Sequence, residues 1–313
     1  MKKKAKIISS AVACLAAVGL GAYVFSLNSK DGEVPTFSEI TPVTTKAPET
    51  QAPTELPDYG DYVDSDYGLT ERAKMLLRTN KDIIGWITIN DTEVDYPVVL
   101  DPGEIWEDTP GYGGGYYWAN SYYLNHDLDG SYKREGTLFM DWRDNFGSIE
   151  DQQSENLIIY GHNMANNTMF GSLRRYRQDY GYYDGNEFVT LSSNYRDYDY
   201  VIFGYRIASG NWYTDFVYWD MEELDSEDDF NYYYSNIMNY SMINPGIDVK
   251  YGDKLLTLST CYSDEDNSRF IIVARRLRPG EVAGDMSTIE RTEEYKLAHA
   301  EEPATETEAA PEQ

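Results

Sequence analysis

The sequence predicts a mainly β protein with added helices: an eight-stranded barrel with an N-terminal helix and a long helix between strands six and seven. Three observations carry this. Eight short β-rich runs lie between residues 85 and 277, separated by turn signals, which is the spacing of a closed antiparallel or mixed barrel. Helix signatures occur just before that span, at Leu69–Asn80, and within it from Ser226 to Met242. The segment 61–278 is long enough for one full core and is bracketed by compositions that cannot bury one.

Taken in order, the chain opens with Lys2, Lys3, Lys4 and Lys6, then a largely apolar run from Ile7 to Leu27. Such a run is about the 20 residues a bilayer-crossing helix needs. Lysines before it and acidic sequence after it orient the N-terminus to the cytoplasm. Residues 1–27 are therefore read as a basic stub and uncleaved single-pass anchor, with the rest of the chain outside. A cleaved signal peptide is the alternative, against which stand the length of the run and the lack of an A-x-A end. Cys14 is read as a small membrane-buried residue. Residues 28–60, rich in Thr and Pro, form an extended extracellular spacer.

Leu69–Asn80 places Leu69, Ala73, Leu76 and Leu77 on one helical face. The strand readings are Gly85–Ile89, Val94–Leu100, Thr137–Met140, Asn156–Tyr160, Glu187–Leu191 and Tyr198–Ala208, then two runs flanking Tyr262–Ser268. The Gly/Tyr/Trp-rich stretch between Asp101 and Tyr122 reads as a surface loop whose aromatics cover an apolar patch. Ser226 is a suitable N-cap, with Glu227, Asp228 and Asp229 in the first turn where the helix dipole favours them. Residues 279–313 read as an acidic disordered tail, with Ser287–Ala300 weakly helical.

The net charge of −28 argues against a nucleic-acid partner, which needs a basic face. Of two cysteines only Cys261 lies in the exported domain, so no internal disulfide forms there. A lone exported thiol is either reactive or buried, and a lone cysteine with a histidine elsewhere is a candidate nucleophile. Three histidines are available. His162 ends a strand on a polar loop, His126 suits a structural or rim role, and His299 lies idle in the tail. Cys261 closes one strand and Arg269 opens the next, which sets a thiol and a guanidinium on one rim. No metal-ligand spacing is present and no Gly-rich phosphate loop precedes a helix, so no cofactor is expected.

The segments YGHNMANNTMFGSL and TLSTCYSDEDNSRFIIVARRL resemble the class B sortases, cysteine transpeptidases of Gram-positive cell surfaces. The resemblance rests on His162 within Tyr160-Gly161-His162, the pentapeptide Thr257–Cys261, and Arg269. It extends to NKDIIGWITI, DYPVV and YLNHD…GTLFMDWR, and covers about Leu69 to Leu277. The long helix between strands six and seven separates class B from class A. The Gly/Tyr-rich insertion and the acidic tail depart from the pattern, as does Tyr262 where relatives carry an acidic residue.

The resemblance implies that Cys261 attacks a backbone carbonyl in a sorting signal to form a thioacyl-enzyme. His162 then protonates the leaving amine and deprotonates the incoming one, while Arg269 holds the oxyanion. Ser259, Thr260, Tyr160, Asn125 and Thr168 are implied substrate-binding positions. The implied partners are a sorting-signal peptide, a peptidoglycan or lipid-linked precursor amine, and the membrane. Two other readings stay open: a pilin-polymerising sortase with a lysine acceptor, and a non-catalytic acidic surface-binding module.

Overall fold

The computed structural model describes residues 68–283, apart from 107, 108, 113, 114, 180, 212, 214, 215 and 263–265, and the backbone of 289–291. The anchor and spacer expected over 1–60 lie outside the described residues. Among the described residues no helix is long and apolar enough to cross a membrane.

Eight strands close a barrel in the order β1-β2-β3-β4-β7-β8-β6-β5. They are β1 (Ile83–Thr88), β2 (Asp95–Leu100), β3 (Leu138–Met140), β4 (Asn156–Tyr160), β5 (Phe188–Ser193), β6 (Asp197–Ser209), β7 (Leu255–Tyr262) and β8 (Ser268–Arg276). The barrel is mixed: β2 runs parallel to β3 and β4 parallel to β7. Side chains alternate between its two faces. Leu157, Ile159, Leu256, Leu258, Phe270 and Ile272 fill the inside with Ile87, Val98 and Tyr205. The outer row of β7 and β8, with Leu255, Ile271 and Val273, is covered by a second apolar cluster.

That cover comes from the helix between β6 and β7. The short helix α1 (Glu71–Leu76), whose N-cap Thr70 accepts from Ala73 N, packs Leu76 against Ile83, Tyr123 and Phe139. One turn of helix, α2 (Arg175–Gln178), follows the 3-10 turn Gly171–Arg174. The long helix is α3 (Glu227–Met238), with Ser226 as its N-cap accepting from Asp229 N. It buries Phe230, Tyr233 and Ile237 against the outer face. Tyr233 Oη lies 2.6 Å from Thr257 Oγ1, which donates to Asn156 Oδ1 at 2.8 Å, so polar groups beneath α3 are satisfied across β4 and β7.

Two regions differ from expectation. In the Gly/Tyr/Trp-rich insertion, Ile105 bridges Tyr117 and both face the core, with Tyr117 edge-on to Tyr122 at 5.1 Å. Alternation then turns Trp106, Tyr116 and Trp118 outward, where all three are exposed. Part of the stretch expected to be tail from residue 279 is folded. Glu281 is buried and pairs with Arg275 at 2.7 Å, and β9 (Glu281–Ala283) pairs with β10 (Ile289–Arg291) inside the stretch read as weakly helical. A buried guanidinium requires a carboxylate, a demand that local composition does not display.

Candidate active site

β7 and β8 pair antiparallel with Cys261 directly opposite Arg269, and Ala208 of β6 lies on the far side of Arg269. β7 extends one residue past Cys261, so the thiol sits just inside the strand end rather than closing it. Leu255, Thr257, Ser259 and Cys261 form the outer row of β7, and its last member escapes the α3 cover: Cys261 is exposed. Arg269 is half-buried and donates to Ser268 O at 3.1 Å.

Gly210 explains where that guanidinium can lie. A Cβ at this position would stand 3.1 Å from both Arg269 Cζ and Nη1, and 2.8 Å from Asn267 O. The bare backbone after β6 thus makes room for the cation at the strand end where Arg269 faces Cys261 across the ladder.

His162 reaches the same rim through the parallel pair. β4 and β7 are in register up to Tyr160 and Ser259, and Gly161 N continues the ladder to Ser259 O at 3.1 Å. Two residues past that register on each strand are His162 and Cys261. Glycine is required between Tyr160 and His162, because a Cβ on Gly161 would strike Leu138 Cδ2 and stand 2.8 Å from Phe170 Cδ2. His162 Nε2 lies 2.7 Å from Leu124 O. A carbonyl only accepts, so Nε2 carries the proton and Nδ1 is the second ring nitrogen.

The other sequence-predicted residues scatter around this rim. Ser259 is buried with its hydroxyl 2.7 Å from Tyr218 Oη. Thr260 belongs to the inner row and is buried, with no partner for Oγ1 among the described residues. Tyr160 donates to Asp141 Oδ2 at 3.0 Å, one layer below the rim. Asn125 adjoins the carbonyl that holds His162, and its buried Oδ1 has no partner among the described residues. Thr168 donates to Asn166 Oδ1 at 2.7 Å in the loop that follows His162. His126 stacks on Tyr122 at 4.1 Å with Nδ1 2.7 Å from Tyr122 O, a structural arrangement. His299 lies outside the described residues. Among the described residues no cluster of His, Cys, Asp or Glu could hold a metal ion.

Beneath the rim lies a carboxylate layer that sequence reading missed. Arg143 donates to Asp141 at 2.9 and 3.0 Å and to Asp220 at 2.8 Å, and also reaches Glu222 and Trp219 O. It thereby ties the turn after β3 to the β6–β7 connection that walls the outer face. Asp101 nearby has no cation among the described residues; burial, with the charge of Asp141 adding to it, pushes its carboxyl up to about 7. Burial drives Asp144 well above the ordinary carboxylate range as well. Also missed were the side chain of Asn163, which donates to Cys261 O at 2.9 Å, and Arg177, 4.7 Å from the Tyr262 ring. Asn163 lies inside the YGHN stretch, but nothing in its spacing reveals a partner 98 positions away.

Comparison with known proteins fits this geometry. Residues 132–277 match the sortase domain family. Sortase B of Listeria monocytogenes is 31% identical over 196 residues, covering 63% of this chain and 69% of that protein. A solved Bacillus anthracis protein described as similar to sortase B superposes with a TM-score of 0.55 at 26% identity, covering 68% of this chain and 86% of its own. The Staphylococcus aureus sortase B–substrate complex gives 0.55 at 25% identity, covering 67% and 86%. With a thiol, a guanidinium and an imidazole gathered at one end of a closed barrel, the chain belongs to the class B sortases, cysteine transpeptidases that act on surface proteins.

Proposed function

We propose that this chain is a single-pass, membrane-anchored sortase with its barrel outside the cell. It cleaves the C-terminal sorting signal of a surface protein and transfers that protein to an amine of peptidoglycan or its lipid-linked precursor. The observation that carries this reading is the direct cross-strand pairing of Cys261 with Arg269. The Cys261 thiolate attacks the scissile carbonyl, and the carbonyl oxygen gains negative charge as the C–S bond forms. Arg269, permanently charged and half-exposed, is the group beside the sulfur able to hold that oxyanion. Collapse of the tetrahedral species expels the amine, which takes a proton from the His162 imidazolium. The incoming amine gives a proton back to His162 as it attacks the thioester.

Because Nε2–H is bound to Leu124 O, Nδ1 is the nitrogen assigned to both proton transfers. The bond to a backbone carbonyl fixes the ring plane without adding a second titrating group. Ser259 and Thr260 support the peptide groove from within β7, since both side chains are buried. Tyr160, Asn125 and Thr168 are assigned as further substrate contacts by their positions in the matching motifs.

The test is incubation of the enzyme with a panel of fluorogenic sorting-signal peptides, with and without amines, followed by intact-mass analysis. A thioacyl adduct on wild type, absent from Cys261→Ala and consumed faster when amine is added, is the expected result. Peptide turnover that persists in Cys261→Ala overturns the reading.

A further inference from the structure

Past Tyr160 and Ser259 the two strands that carry the imidazole and the thiol have one main-chain link left, Gly161 N to Ser259 O. From there residues 161–171 leave the β4 ladder, with Met169 and Phe170 packed into the interior cluster, while β7 runs three residues further to Tyr262. One backbone hydrogen bond is little to fix the spacing of two groups that must exchange a proton.

Side chains complete the connection. Asn163 Nδ2 donates to Cys261 O at 2.9 Å, and Asn163 Oδ1 accepts from Arg174 Nη2 at 3.0 Å. The amide can sit only one way round. Flipped, it would set its NH2 against a guanidinium and its oxygen against a carbonyl, two contacts between like partners. Arg174 is itself held, since Nε donates to Gly171 O at 2.6 Å and Nη2 also reaches Met164 O. Three residues on, Arg177 lies 4.7 Å from the Tyr262 ring centroid, so the turn spanning 171–178 engages two consecutive residues of the nucleophile strand.

The loop between these points is strained. Asn167 and Met169 both have positive φ, at 70° and 54°. Gly171 is seated where a Cβ would collide with Met164 O. Such backbone persists only where its surroundings over-determine it, and the Arg174 contacts to the loop carbonyls do so here.

We propose that Asn163, locked in orientation by Arg174, is a positioning residue that holds the Cys261 strand end in register with the His162 loop. It acts through the main chain of Cys261 and does not touch substrate. This rests on Cys261 and His162 being the reacting pair.

The test uses the full-length chain and whichever peptide of the panel wild type cleaves fastest. Asn163→Asp keeps an oxygen facing Arg174 and removes the donor facing Cys261 O, so the loop stays latched while the link to β7 is cut. The expected result is a kcat lower by about 10- to 100-fold, the range of a misplacement near 1 Å, with KM and Tm near wild type. Asn163→Ala should show the same split. The double variant with Arg174→Ala should lose no more kcat than the worse single variant, because both act through one link. Wild-type kcat in Asn163→Asp, or a kcat loss matched by a loss of Tm, overturns the proposal. Cys261→Ala and His162→Ala run alongside: if they retain turnover, the reaction assignment fails, whereas inactivity there with a normal Asn163→Asp overturns only the positioning role.

Discussion

β7 and β8 run the length of the barrel, and the arginines at their two ends meet opposite fates. At the floor, Arg275 faces Leu255 across the ladder, is 1% exposed, and is paired with Glu281 at 2.7 Å. Its neighbour Arg276 donates to Tyr200 and Gln153, and Arg278 to Asp253 and Asp248. At the mouth, Arg269 faces Cys261, is half-exposed, and forms no ion pair among the described residues. A buried guanidinium whose charge is answered by carboxylates is a fastening. The same group left half in water, beside an exposed thiol, is available to a charge that appears only during reaction. In a chain of net charge −28, an arginine with no carboxylate partner among the described residues is itself informative.

The strongest challenge to that contrast is substitution at the mouth. Cys261→Ala should abolish adduct formation, and Arg269→Ala should lower kcat/KM by about 10²–10³ while Tm holds. Steady-state kinetics and thermal melts on the same samples check both, and normal turnover in Arg269→Ala removes it from the mechanism. At the floor the expected pattern reverses. Glu281→Ala strands a buried guanidinium and should cost about 3–5 kcal/mol of stability, read by urea unfolding, with per-molecule activity retained at low temperature.

Asp101 provides a third case, a buried carboxylate without a cation among the described residues. Its folded-state pKa of about 7 lies above the ordinary 3.8. Between those values the folded chain keeps a proton that the unfolded chain has released, so stability falls as pH rises from about 4 to about 7 and is flat above. Asp101→Asn should flatten that decline by about 2–4 kcal/mol, measured as unfolding free energy at the two ends of the window. The smallest effect is expected from Gly210→Ala. The added methyl presses on the Arg269 guanidinium and on Asn267 O, and should lower kcat by about 10-fold together with a fall in Tm.

Local chemistry made much of this architecture readable. Each barrel strand is a short β-rich run between turn residues, and Ser226 caps the long helix as its hydroxyl allows. Period-two alternation could also have separated Ser259, on the thiol's face, from Thr260, which turns inward. What stayed hidden depends on wiring across long separations. Neither the parallel β4–β7 pairing, nor Tyr218 taking up the Ser259 hydroxyl, nor Asn163 meeting Cys261 leaves a local trace. The Glu281 pairing was missed for a related reason, since an acidic tail looks the same whether or not one member folds back.

The parallel alignment of β4 with β7 bears on when the enzyme can first act. Two parallel neighbours finish at the same rim, and the chain must make a long excursion through β5, β6 and α3 to return in that direction. Contacts closing so large a loop are the slow ones in folding. Imidazole and sulfur therefore meet only when the penultimate barrel strand docks, and a chain still emerging from synthesis carries His162 well before it carries the thiol.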